Sequence, residues 1–365
     1  MNFFQVHISS QAIDSATEVL KSGWISEGYK VKEFEAALSE RLGLPNPVAV
    51  NSGTSALHLA LSIAQVGWGD EVILPAQTFI ATGMVVLAAG AKPVFADIQP
   101  DTGNICPKSI SKKITERTRA VIAVHWGGYP CDLDEINDIA ERNNLIVIED
   151  AAHALGASYR GKPIGSISRF TAFSFQAIKH LTTGDGGALC CLDEQDYINA
   201  LNRRWFGIDR NNDKPSILGE REYNIKEVGY NYHMNNLAAA VGLGNLEDFP
   251  SNLKRRREVA KLYHNNLKDV PGLRLLDYKD DRDSAYWLFT VLVERREDFI
   301  RALKSKNIPT SVVHLRIDKN SVFGGQATDL PGQEKFNDMQ VAIPIHSELT
   351  DEDVNLVIDS IHSGW

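Results

Sequence analysis

Lys179 stands in the run Phe173-Ser174-Phe175-Gln176-Ala177-Ile178-Lys179-His180, and a turn of small residues, Thr182-Thr183-Gly184-Asp185-Gly186-Gly187, follows it. Residues 173–175 read as a buried strand and 188–192 as its return, which puts the lysine on a tight connection above an apolar floor. An ammonium that loses hydration there has its pKa lowered. A neutral amine attacks carbonyls and forms a Schiff base. Taken alone, the pattern favours a surface lysine in a hairpin, because most lysines are exposed. Other parts of the chain must supply the context.

Three further groups could do chemistry. Asn51-Ser52-Gly53-Thr54-Ser55-Ala56 follows a short strand at 48–50 and opens a helix. A helix start offers free N–H groups and the positive end of the dipole to a phosphate. Thr54 and Ser55 add hydroxyl donors. The same turn also fits an ordinary N-cap. It is not a Walker loop, since no Gly-Lys-Ser/Thr follows. Asp150 ends the apolar run 145–150 and precedes Ala151-Ala152-His153. It is either a loop cap or a charge partner for a ligand. Phe79 is an aromatic at another strand end, opening a helix at 80–89.

The elements that must position these groups alternate. Helices are predicted at 13–22, 31–42, 80–89 and 134–142, strands at 48–50, 94–97, 120–124 and 145–150, and a turn followed by a strand over 69–75. The strands are apolar on both faces, which indicates a mainly parallel sheet covered on both sides. Ligands in such α/β sheets bind at the carboxyl ends of the strands. A helix at 237–246 is expected to end at Pro250. A long helix at 252–267 then bridges to a smaller α/β module with strands at 286–293 and 311–314 and helices at 297–306 and 351–362. The division expected is 1–248 as the large domain and 249–365 as bridge and small domain, with the N-terminal segment packing on the latter.

The 365 residues give room for one large and one smaller domain. A net charge of −9 argues against a nucleic-acid surface. The one dense basic run, Lys254-Arg255-Arg256-Arg257, reads as a solvated helix face. No CxxC or HExxH occurs, so no metal signature is present. Cys190 and Cys191 alternate faces of a predicted strand and read as small packing residues in a reduced, cytoplasmic protein. The first residues carry no secretory signal and no run is apolar for long enough to span a bilayer. No GxGxxG follows an early strand, which speaks against a nicotinamide dehydrogenase.

A tethering lysine, a phosphate-ready helix start, an acid at a strand end and a stacking aromatic are the parts a pyridoxal phosphate enzyme needs. The carboxylate keeps the pyridine nitrogen protonated, which makes the ring the better electron sink. At this point the chain resembles the DegT/DnrJ/EryC1/StrS sugar aminotransferases. The likeness runs through residues 28–35, Asn51 to Leu57, Glu149-Asp150-Ala151-Ala152-His153, Ser174 to Gly187, Gly229 to Met234 and Val313-His314-Leu315-Arg316.

The resemblance implies fold-type I, with a mainly parallel seven-stranded sheet flanked by helices and a smaller C-terminal α/β domain. It implies that Lys179 bonds the cofactor and shuttles the proton, that Asp150 pairs with the ring nitrogen, and that His153 lies near the phenolic oxygen. Phe79 would stack on the ring. Gly53, Thr54, Ser55 and Ser174 would hold the phosphate, joined by Asn231 from the neighbouring subunit of a homodimer. His314 and Arg316 would face the substrate, and His233 stands where many members have arginine. The implied reaction moves an amino group from L-glutamate to a nucleotide-linked keto sugar, at C4 of a 6-deoxyhexose or at C3. One subgroup dehydrates at C3 instead and has histidine in place of the lysine. Here His180 is one place from Lys179, so a shift of one residue would exchange the two readings.

Overall fold

A computed structural model describes residues 1–209 and 214–365. Seven strands form the large sheet: β1 (Pro47–Val50), β2 (Glu71–Pro75), β3 (Lys92–Ala96), β4 (Thr118–Val124), β5 (Ile146–Asp150), β6 (Phe170–Ser174) and β7 (Gly187–Cys191), in spatial order β1-β7-β6-β5-β4-β2-β3. Only β7 is reversed, antiparallel to both β1 and β6; the other neighbours are parallel. Along β4, Val121 and Ala123 enter one core while Ala120, Ile122 and Val124 enter the other. Both faces are therefore covered, which is why these strands show no polar alternation. Cys190 and Cys191 divide between the two cores in the same way.

The helices that matter here are α1 (Ser10–Ser22), α2 (Tyr29–Leu42), α3 (Gly53–Ile63), α4 (Ile80–Ala88), α5 (Pro107–Lys113), α6 (Leu133–Arg142), α7 (Glu194–Arg203), α8 (Asn236–Leu246) and α9 (Phe249–Leu267). Beyond α9 a second, antiparallel sheet joins β8 (Leu273–Leu275), β9 (Phe289–Val293) and β10 (Gln340–Ile343). With α10 (Arg296–Ser305) and α12 (Asp351–His362) it encloses a separate core running from Val259 to Ile361. Helix α11 (Pro331–Met339) docks back on the large sheet: the Gly332 and Gln333 amides donate to the Asp97 carboxylate at 2.9 and 2.8 Å. The acid satisfies orphan N–H groups and complements the helix dipole. At the other end of the chain, Phe4 stacks on Trp287, and His7 lies 3.0 Å from Asp248 and 3.2 Å from Glu348.

The structure departs from the sequence expectation at three places. Pro250 does not end α8; it occupies the first turn of α9, where a missing N–H costs nothing. Residues 311–314 are not a strand: one bridge, Ser311 to Ala342, is all they form. The basic run is not simply a solvated face. Arg256 is buried, donating to the Ile345 carbonyl at 2.9 Å; Arg257 donates to the Ser284 and Gly156 carbonyls at 3.1 and 2.9 Å. Arg255 donates to the Leu349 carbonyl at 2.7 Å, and only Lys254 is largely in water. No helix among the described residues is long and apolar enough to cross a membrane.

Candidate active site

The carboxyl ends of β4, β5 and β6 meet the starts of α3 and α4 around a cavity of about 340 Å³. Lys179 enters it from the β6–β7 connection. That connection is knitted by its own small residues: the Thr183 amide and the Thr182 hydroxyl both donate to the Phe175 carbonyl, at 3.0 and 3.2 Å, and the Gly184 amide donates to Thr182 Oγ1 at 2.9 Å. Gly184 has φ +85°, a conformation that side chains disfavour. Burial lowers the Lys179 amine to about 7 from 10.5, against the pull of Asp150. His180 points elsewhere. Its Nε2–H donates to the Ala285 carbonyl at 2.8 Å, and it does not line the cavity.

Asp150 ends β5 inside the cavity wall. The Thr82 hydroxyl donates to its Oδ2 at 2.7 Å and the Ala152 amide to its Oδ1 at 3.2 Å. Burial pushes the carboxyl up, while Thr82, the Ala152 amide and Lys179 pull it down. Thr82 has one proton and gives it to the acid, so the 2.7 Å contact with Thr78 must run from Thr78 to Thr82. Next to Asp150 lies a buried pair. The Cys131 amide donates to His125 Nδ1, which leaves the proton on Nε2, 2.8 Å from the Glu149 carboxylate.

At the start of α3, Ser52 caps the helix by accepting from the Ser55 amide at 3.0 Å. The Gly53 and Thr54 amides, at the first two helical positions, have no intrahelical acceptor. A Cβ on Gly53 would come 2.9 Å from the Ser174 Cβ, so glycine keeps a cradle open between the helix start and β6. Ser55 differs from expectation. Its hydroxyl is used by the cap, 2.6 Å from Asn51 Oδ1 and 2.9 Å from Ser52 Oγ, and does not face the cavity.

Phe79 is half exposed at the cavity mouth, its ring 5.3 Å from that of His314. His153 is buried, with no hydrogen-bond partner at Nδ1, and burial together with the nearby Lys179 holds its pKa well below the ordinary value. Burial lowers His314 to about 4, so both imidazoles are neutral at pH 7. His314 is placed by an unusual turn. Val313 has φ +57°, the His314 amide donates to the Val312 carbonyl at 2.7 Å, and Gln77 and Gln340 both donate to the His314 carbonyl, at 3.1 and 3.2 Å. A β-branched residue with positive φ is strained and needs such clamps.

Two further expected site residues, besides Ser55, lie outside this cavity. Arg316 is buried against Asp318, two charge-assisted bonds of 2.7 and 2.6 Å, and does not line the site. Asn231 is exposed and does not line its own chain's cavity; its carbonyl accepts from Asn51 Nδ2 at 3.1 Å. Sequence reasoning missed Thr82 and Trp287. Thr82 left a trace, a hydroxyl one helical turn after Thr78 at a helix start. Trp287 left none, since the chain brings it in from 109 residues beyond Ile178.

The unpartnered His153 nitrogen, the cradle that a Cβ would fill and the amine near neutrality suit pyridoxal phosphate. Comparison with known proteins bears on the same point. Residues 6–362 match the sequence profile of the DegT/DnrJ/EryC1/StrS aminotransferase family. The chain belongs to that family. It is 32% identical to the GDP-perosamine synthase of Escherichia coli O157:H7, over 99% of this chain and 98% of that one. The sugar aminotransferase CalS13 of Micromonospora echinospora superposes with a TM-score of 0.95 at 37% identity, covering 100% of both chains. The putative sugar aminotransferase Spr1654 of Streptococcus pneumoniae, solved in PLP and PMP forms, superposes with TM-scores of 0.91 and 0.92 at 30 and 31% identity, covering 100% of this chain and 98% of that one in each form. This member of the DegT/DnrJ/EryC1/StrS family is thus a pyridoxal phosphate-dependent sugar aminotransferase of fold-type I.

Proposed function

We propose that this enzyme transfers an amino group from L-glutamate to a keto sugar carried on a nucleotide, a 4-keto-6-deoxy sugar in the first place and a 3-keto sugar as the alternative. The observation that carries the reading is which of two adjacent residues lines the cavity: Lys179 does and His180 does not. A histidine there would favour the dehydratase reading.

Pyridoxal phosphate, when bound, supplies the aldehyde that carries the amino group and the ring that accepts electrons. Lys179 tethers it and, as an amine poised near pH 7, takes a proton from one carbon and returns it to another. Asp150 sets a negative charge against the ring nitrogen. The Gly53 and Thr54 amides, with the Thr54 and Ser174 hydroxyls, take the phosphate. Phe79 covers one face of the ring and His153 approaches the phenolic oxygen. His314, a neutral imidazole, faces the sugar. Arg316, tied to Asp318, acts at most by holding the turn that carries His314.

Among the described residues, no cation besides Lys179 lines the cavity. Asn231 reaches the phosphate of a second copy in this reading, and the active unit is a homodimer with shared sites. Support comes from the bare apolar side chains before Asn231: Ile217, Leu218 and Val228 are 101, 83 and 76% exposed. Residues 1–248 are the cofactor-holding unit and 249–365 the bridge and small domain, supported by the separate core beyond Val259. A reduced cytoplasm is the proposed compartment, supported by free thiols at Cys106, Cys131, Cys190 and Cys191.

A panel of keto-sugar nucleotides incubated with glutamate, followed by mass spectrometry, tests the reading. An amino product with stoichiometric 2-oxoglutarate is expected. Loss of water from the sugar without amino transfer would contradict it.

A further inference from the structure

Trp287 lies in the chain beyond α9, yet its indole forms part of the cavity wall and is buried. Lys179 Nζ stands 3.6 Å from the ring centroid, over the ring. The indole Nε1–H donates at 3.0 Å to the carbonyl of Ile178, the residue just before the lysine. His153 stacks on the same indole at 3.8 Å and 15°, and Phe4 at 5.1 Å and 23°. The backbone around Trp287 is held just as closely. Ala285 and Leu288 donate to the carbonyls of Gly128 and Gly127 at 3.0 and 3.1 Å. Gly128 has φ +97°, and a Cβ there would come 3.2 Å from the Trp287 amide, so only glycine admits the segment.

We propose that Trp287 is the positioning residue for Lys179: its ring is the seat of the free amine, and its N–H fixes the backbone one residue before it. The proposal rests on the reading of Lys179 as the reacting amine. An aromatic face carries the negative part of the ring quadrupole and attracts an ammonium. Burial alone drives the proton off the amine. The ring restores part of what hydration supplied, so the amine can hold a proton between taking it and returning it. An aliphatic side chain at 287 would bury the amine without that counter-pull.

The test replaces Trp287 by mono-, di- and trifluorinated tryptophans, which weaken the quadrupole with little change of shape. In the cofactor-free protein, the rate of Lys179 acylation by a small amine reagent is followed against pH by peptide mass spectrometry. The midpoint is expected to fall stepwise with each fluorine, by about one pH unit over the series. A midpoint that stays put overturns the seat. Trp287→Phe keeps a ring face and loses the N–H; kcat in the loaded enzyme should fall about ten-fold with KM for glutamate little changed. An unaltered kcat overturns the backbone tether. The labelling needs no cofactor, so it stands apart from the functional reading, which would fail instead if Lys179 never bonded the cofactor.

Discussion

The Thr82 hydroxyl donates a 2.7 Å hydrogen bond to Oδ2 of Asp150. Burial raises the pKa of that acid, and this bond acts against the rise. Removing it should leave a buried acceptor short of a donor. Thr82→Val is expected to weaken pyridoxal phosphate binding roughly 10- to 100-fold, since a hydrogen bond to a charged group contributes about 1.5–3 kcal/mol. Thr82→Ser should bind nearly as the wild type does. In an Asp150→Asn background the valine change should have little further effect. Equilibrium dialysis of the wild type and the four variants checks this, and a valine effect that persists without the acid would contradict it.

Gly53→Ala places a Cβ 2.9 Å from that of Ser174 at the start of α3. The fold should survive, because the clash is local to the cradle. Cofactor affinity should fall by at least about ten-fold, as overpacking costs roughly 1–3 kcal/mol. Thermal melting and cofactor titration together separate the two effects.

The amine of Lys179 is lowered to about 7 from 10.5 by burial. Between those values the unfolded chain holds a proton that the folded chain has lost. Stability of the cofactor-free protein therefore gains a rising contribution with pH across that window, and none beyond it. Lys179→Met removes the contribution. Urea melts at several pH values should show the variant's advantage over wild type larger near pH 7 than near pH 10. An advantage that does not change with pH would contradict the buried amine.

Much of this site is legible in the chain because its groups lie at strand ends and helix starts, where local pattern fixes geometry. Lys179, Asp150, Gly53 and Phe79 are of that kind. Ser55 was readable either as a donor to the site or as part of an N-cap, because a hydroxyl at the third helical position serves either role. Arg316 found a carboxylate two residues on, at Asp318, a pairing that no spacing rule reveals. Residues 311–314 have a strand's composition, yet amide clamps from Gln77 and Gln340 hold them in a strained turn. Arg256 looked solvated because the carbonyls it binds come from remote loops. Trp287 depends on Gly127 and Gly128 admitting a distant segment, which only the fold brings about.

Arg256→Ala should therefore behave as a core mutation. It strips the donor from the Ile345 carbonyl and leaves a buried acceptor. A loss of roughly 2–3 kcal/mol is expected, measured by denaturant unfolding. Lys254→Ala, on the same helix but in water, should change stability by less than about 0.5 kcal/mol.

The proposed sharing of sites between two copies makes a separate prediction. Lys179→Ala and Asn231→Ala chains should each be impaired alone. Mixed after partial denaturation and refolding, they should recover activity, since one site of each mixed dimer would draw both residues from intact copies. No recovery, with mixed dimers present by mass spectrometry, would contradict the sharing.

The most direct measurement is borohydride reduction of the purified enzyme followed by peptide mapping. The account predicts a yellow protein that bleaches on reduction and a pyridoxyl phosphate adduct on Lys179 alone. A protein that binds no such chromophore when it is supplied, or an adduct on any lysine other than Lys179, would contradict it.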